Sequence, residues 1–303
     1  MGSEMCIRDR AVRQVLEAGL NVRTHFTPPS DFILPIRRLL EEKKISMAVI
    51  DKRVSEVLRV KFRLGLFDQP YVADTKAADR VGGADRNMDF VKQMQQQALV
   101  LLKNENNILP LDKRQIKKVL VTGPLADEDN FMTSPYGPNG LETVTVLAGL
   151  RNYLKGIAEV DYAKGCDIVD AGWPATEILP APMSEQEKQG IAEAVAKAGE
   201  SDVIIAVLGE DEYRTGESRS RTSLDLPGRQ QQLLEALHAT GKPVILVLIN
   251  GQPLTVNWAN AYIPAILESW FPGCQGGTVI AETLFGEYNP VSYTHLRAHE
   301  TLR

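Results

Sequence analysis

The apolar positions change their period along this chain, and the change divides it. From Ile45 to Leu66, Val49, Ile50, Val54, Val57, Leu58 and Phe62 recur at spacings of three and four, the period of an amphipathic helix. Ser46 is placed to cap that helix and Gly65 to stop it. Upstream, Ala18–Phe26 reads as a short strand before a turn at Pro28 and Pro29, so 11–68 is expected to hold about one strand and two helices. Gln69–Arg86 is polar and punctuated by Pro70, Gly82 and Gly83, the composition of a linker. A helix is predicted over Asp89–Leu102, running into the polar stretch Lys103–Asn107.

From Lys118 onward, short apolar runs alternate with helical periods. Val119–Thr122, Ala158–Ala163, Val203–Leu208 (VIIAVL), Pro243–Ile249 (PVILVLI) and Ala265–Trp270 read as strands. Thr143–Tyr153, Ser184–Ala198, Leu226–Ala239 and Gly276–Phe285 read as helices, and Ser184 with Glu187 forms a capping-box signature. The continuous apolar content of VIIAVL and PVILVLI marks strands covered on both faces. The alternation predicts an α/β fold, a mostly parallel sheet sandwiched by helices.

Composition narrows the picture modestly. The 303 residues are 44% hydrophobic and 24% charged, close to soluble globular averages. The net charge of −5 argues against nucleic acid, whose phosphates want a basic face. No apolar run reaches the roughly 18–20 residues of a membrane span. Met1–Arg10 and Val291–Arg303 break from the flanking pattern and resemble translated adapter sequence, so both are left out of the fold expectation. That removes Cys6, His295 and His299. Cys166, Cys274, His25 and His238 remain, too scattered for a zinc site, and no metal or cofactor is expected. The cysteines read as packed thiols, and neither histidine has a sequence neighbour that gives it a role.

Ligands of parallel sheets gather where loops leave the C-terminal ends of strands. The longest polar insertion at such an end is Gly209–Pro227, GEDEYRTGESRSRTSLDLP, well beyond the roughly 2–6 residues of ordinary strand-to-helix loops. It carries Glu210, Asp211, Glu212, Glu217 and Asp225 with Arg214, Arg219 and Arg221. By itself the loop reads equally as a solvated charge run.

Eight strings lift it above that. RVKFRLGLFD (59–68), ALVLLKNENNILPL (98–111), VTGPLAD (121–127), TVLAGL (145–150) and YAKGCD (162–167) resemble glycoside hydrolase family 3. So do VLGEDEYRTGESRSRTSLDLPG (207–228), TGKPVILVLINGQPL (240–254) and AILESWFPGCQGGTVIAETLFGEYNP (265–290), in that family's order. The resemblance implies a retaining, exo-acting β-glycosidase of β-glucosidase or β-xylosidase type, built from a TIM-like barrel followed by an α/β sandwich. On it, 11–68 is the barrel's last portion, 69–88 the linker and 89–290 the sandwich, expected to be one strand short.

The resemblance places the acid/base carboxyl on Glu217, within Thr215-Gly216-Glu217-Ser218-Arg219. Such a group protonates the leaving glycosidic oxygen and then takes a proton from water. Arg219 and Arg221 would lower its pKa unless they pair with Asp225 or Glu212 instead. Glu210, next to the strand, is the alternative, read as a structural acceptor for loop backbone amides. Tyr136, in SPYGPNG, is placed to stack on a sugar, and Arg219 is the other candidate substrate contact. Trp173, Trp258 and Trp270 read as packing residues.

The resemblance also implies a nucleophilic Asp in a Ser-Asp-Trp-like string, and none occurs. Asp31 in PPSDF lacks the Trp and is rejected. A closed barrel takes about 250 residues, far more than 11–68 can supply. The fragment is therefore expected to be inactive alone and to need the barrel in cis, with an oligosaccharide or aryl β-glycoside as substrate. The sugar and the compartment stay open. A non-catalytic sugar- or nucleotide-binding α/β domain is the competing expectation, although GxGxxG is absent after the first strand.

Overall fold

The computed structural model describes residues 7–24, 26–82, 84–134, 136–137, 142–170, 172 and 182–290. His25, Trp173 and the strings at 1–6 and 291–303 lie outside the described residues. The chain divides into two compact units, Met1–Gly82 and Gly83–Arg303.

The first unit is helical: α1 (Ile7–Ala18), α2 (Ser30–Glu41), α3 (Met47–Arg63) and α4 (Ala77–Gly82). Val12, Leu16, Leu39 and Ile45 form its small core. The strand expected over Ala18–Phe26 does not form: Ala18 closes α1, and 19–24 is turn and coil, with Gly19 in the left-handed region. The apolar residues that suggested it, Leu20 and Val22, have no neighbouring strand and stay exposed. Ile7–Arg10, part of the string left out of the fold expectation, is the first turn of α1, and Asp9 is buried against Arg38 at 2.6 Å. Helix α3 appears where the three-and-four spacing predicts it, behind Ser46, yet none of its residues is fully buried. Within the stretch expected as linker, 77–82 is helical.

The second unit opens with α5 (Asp85–Ala98) and a strand, β1 (Val100–Asn104), that the sequence reading ran together as one helix. A five-residue apolar run fits either period, and here pairing decides: β1 lies antiparallel on the sheet edge. The others are β2 (Lys118–Thr122), β3 (Glu159–Ala163), β4 (Val203–Gly209), β5 (Val244–Ile249) and β6 (Ala265–Glu268). Among the described residues they form one six-stranded sheet, order β1-β6-β5-β4-β2-β3, parallel except for β1.

Alternation along the strands sends successive side chains to opposite faces. Ile205 and Val207 of β4 join a core with α6 (Val146–Tyr153) and α10 (Gly276–Leu284). Ile204, Ala206 and Leu208 join the opposite core with α7 (Glu185–Gly199), α8 (Gln230–His238) and α9 (Asn257–Tyr262). Each fully buried Leu or Ile contributes about 1.5–3 kcal/mol, so the sheet is held from both sides. The capping box at α7 forms as expected, Ser184 Oγ taking the Glu187 N–H at 3.2 Å and Glu187 returning to the Ser184 N–H at 2.6 Å. α9 has no counterpart in the sequence reading.

Candidate active site loop

The parallel strands end on one edge, where the loops after β2, β4, β5 and β6 emerge. Strand β4 ends at Gly209, whose φ of +144° is open to glycine. A Cβ there would stand 1.8 Å from the carbonyl oxygen of Ile249 on β5. The chain therefore turns out of the sheet at full packing density, and Glu210 follows as the first loop residue.

Five clamps fix the loop behind its tip. Buried Gln230, on α8, accepts from the Gly209 N–H at 2.8 Å and donates to the carbonyls of Gly209 (2.8 Å) and Pro227 (2.9 Å), tying the loop's two ends together. Arg221 pairs with the fully buried Glu210 and donates to the carbonyl of Asp225. Gln252, in the loop after β5, donates to Glu210 Oε1 and to the Arg214 carbonyl, each at 3.1 Å. Asp211 and Arg214 form a buried ion pair at 2.5 Å. Asp225 is held by the hydroxyls of Thr255 and Ser223, which keep its carboxyl below the usual range.

The tip itself is open. Gly216 and Ser218, both at positive φ, flank Glu217, and Glu217 is exposed. Its backbone N–H donates to Tyr136 Oη at 3.0 Å. Tyr136 sits in the loop after β2 with 71% of its surface exposed. Two predicted site residues, 81 positions apart, thus meet. Arg219 does not join them: its Nη1 donates to the Tyr213 carbonyl at 2.7 Å, and its guanidinium lies 5.6 Å from the Tyr213 ring centre.

These contacts correct one expectation and decide one alternative that the sequence leaves open. Glu210 is structural, but it accepts from Arg221 and Gln252 side chains rather than from loop amides. Arg219 and Arg221 pair with neither Asp225's carboxylate nor Glu212: the first holds Tyr213, and the second holds Glu210 and a backbone carbonyl. Neither pairs with Glu217. The sequence reading also missed Gln230, Gln252 and Glu268. Glu268 ends the apolar run AILE, and burial pushes its carboxyl up to about 7 against donation from the Trp270 N–H at 2.8 Å. A carboxylate closing a buried strand was the available signal. Cys166 is buried, and desolvation raises its thiol to about 12, as a packed thiol requires. Among the described residues there is no cluster of metal-ligating side chains and no helix long and apolar enough to cross a membrane.

Fold and site together define an α/β domain presenting a carboxylate-tipped loop at the C-terminal edge of a parallel sheet. The chain belongs to glycosyl hydrolase family 3: residues 99–298 match that family's C-terminal domain. It is 39% identical over 251 residues to a β-xylosidase of Formosa agariphila, covering 80% of this chain and 32% of that protein. To the periplasmic β-glucosidase of Salmonella typhimurium it is 37% identical, covering 92% of this chain and 37% of that protein. A β-glucosidase structure from Erythrobacter marinus superposes with a TM-score of 0.78 at 34% identity, covering 93% of this chain and 39% of that one. The β-glucosidase of Listeria innocua in complex with isofagomine gives 0.78 at 28% identity, over 93% and 36%. The chain spans about a third of the length of the curated relatives it matches.

Proposed function

We propose that this chain is the part of a retaining, exo-acting β-glycosidase that supplies the general acid/base, Glu217, and that the nucleophilic carboxylate lies on a barrel domain acting in cis. One observation carries the assignment. Glu210, Asp211 and Asp225 are each engaged by Arg221 and Gln252, by Arg214, and by Thr255 and Ser223. Of the two carboxylates left, Glu212 is half-buried, and Glu217 stands exposed at the tip with its backbone N–H held by Tyr136 Oη.

The chemistry asks for such a group. A carboxylic acid must reach the glycosidic oxygen as the C–O bond breaks, donate its proton, and then take one from the water that releases the sugar. The second carboxyl must stand about 5–5.5 Å away on the other side of the anomeric carbon. Relatives named β-xylosidase and β-glucosidase support a β-xyloside or β-glucoside as substrate. Tyr136, its hydroxyl committed to the Glu217 N–H and its ring exposed, would offer the sugar a stacking face. Arg219 would act from the substrate side of the same loop.

Replacing the matching domain of the Formosa β-xylosidase with residues 83–290 tests the role of Glu217. In that chimera Glu217→Gln should lower kcat by about 10²–10⁴ on alkyl β-xylosides and far less on dinitrophenyl xylosides, whose leaving group needs no proton. Equal losses on both substrates would remove the acid/base assignment. The isolated chain should hydrolyse neither aryl β-glucoside nor β-xyloside; turnover that disappears on Glu217→Gln would show that one carboxylate suffices.

A further inference from the structure

Away from the loop's tip, the descending limb of the same loop, the first turns of α8 and the start of α9 enclose a cleft of about 490 Å³. That is within the roughly 300–1,000 Å³ of small-molecule sites. Neither Glu217 nor Tyr136 lines it. We propose that this cleft is a second, non-catalytic binding site for a neutral pyranose, free or as a unit of an oligosaccharide.

The charges present argue for a neutral ligand. Both arginines of the lining are already paired, Arg221 with Glu210 and Arg229 with Glu187 at 3.2 Å and Asp170 at 3.4 Å. Asp225 is taken by the hydroxyls of Thr255 and Ser223. Among the described residues no free cation of the lining is left to hold a carboxylate or phosphate, and its remaining carboxylate, Glu235, repels one.

What the lining offers is a buried acceptor with no donor of its own. Gln232 Oε1 is buried and accepts no hydrogen bond among the described residues. Asp170 Oδ1 is buried too, ion-paired with Arg229 at 3.4 Å but accepting no hydrogen bond among the described residues. An unmet buried acceptor costs roughly 1–3 kcal/mol, and ligand hydroxyls would relieve it without bringing charge. Trp258 adds the apolar half of the recognition. Its indole is braced by Tyr262 at 4.9 Å and by the edge of His238 at 5.6 Å, which makes it a rigid platform. The axial C–H face of a pyranose packs on such a platform while its hydroxyls meet the rim. An extended polyol has the hydroxyls but no face.

The inference does not depend on the role of Glu217. Calorimetry and heteronuclear NMR on the full chain, with xylobiose, cellobiose and sorbitol as probes, test it. We expect a Kd on the order of 1 mM for a disaccharide, shifts centred on Trp258 Nε1–H, and at least tenfold weaker binding of sorbitol. Gln232→Ala and Trp258→Ala should each weaken the disaccharide by tenfold or more with circular dichroism unchanged. Should Trp258→Ala fail to fold, Gln232→Ala decides alone. Absence of binding, sorbitol binding as well as the disaccharides, or binding that survives Gln232→Ala would overturn the proposal. Binding lost on Tyr136→Ala but kept in Gln232→Ala would move the sugar to the loop tip, ending this proposal and leaving the acid/base reading intact.

Discussion

Tyr136 Oη accepts the backbone N–H of Glu217 at 3.0 Å, a bond between the loop after β2 and the tip of the loop after β4. It is the contact that holds the tip from the side away from the Glu210 clamp. Tyr136→Phe keeps the ring and deletes the acceptor. Amide exchange at Glu217 should then accelerate by an amount matching about 1 kcal/mol, while the global melting temperature barely moves, because Tyr136 is exposed. Unchanged protection at Glu217 would mean that the tip is held by something else.

Two carboxylates of one loop should respond in opposite ways to neutralisation. Glu210 is fully buried, and Arg221 is its cation. Arg221→Met leaves that charge buried without its cation, an expected loss of about 3–5 kcal/mol in urea unfolding. The double variant Arg221→Met, Glu210→Gln should recover most of it. Glu217→Gln, exposed and unpaired, should change stability by less than about 0.5 kcal/mol. If Glu217→Gln proved the more damaging, the structural and reactive roles assigned to the two residues would have to be exchanged.

The parallel core was legible because its strands are covered on both faces: VIIAVL and PVILVLI can be little else, and β4 and β5 are buried throughout. β1 was not legible. Ala98–Leu102 is apolar at every position, which a buried helix end accommodates as well as a strand, and its strand character comes from pairing with β6, a partner about 160 residues away that no local window contains. The false strand at 18–26 is the converse case, β-like residues with no edge to join. In the site, loop length singled out 209–227, and the family resemblance singled out Glu217 within it. The clamps could not be read, since Gln230 and Gln252 are unremarkable in sequence and matter only because folding brings them onto Gly209 and Glu210.

Close packing at the start of the site loop makes a sharp steric test. Gly209→Ala would place a methyl group 1.8 Å from the Ile249 carbonyl at a φ of +144°. Both strand ends would have to separate, and the expected loss exceeds about 4 kcal/mol, enough to abolish a cooperative melt. Gly241→Ala is the control, at a φ of +72° with no atom within 4 Å of the added carbon. It should cost only about 1–2 kcal/mol, the left-handed penalty alone. Comparable melts for the two would indicate that β4 and β5 part easily at their C-terminal ends.

Glu268 supplies a pH test whose sign is fixed by burial. Its carboxyl titrates near 7 in the folded chain against 4.5 unfolded, because desolvation outweighs donation from the Trp270 N–H, the Asn250 side chain and the Ser269 N–H. Between those values the folded state keeps a proton that the unfolded state has released. Stability therefore falls as pH rises through that window. The contribution is fully present below about 4.5 and lost once pH passes about 7, with a ceiling of about 3 kcal/mol. Glu268→Gln imitates the protonated form and should flatten this slope. The variant should match the parent near pH 4.5 and exceed it at pH 8 by up to that amount in urea denaturation, and parallel profiles for the two proteins would show that Glu268 is ionised at neutral pH.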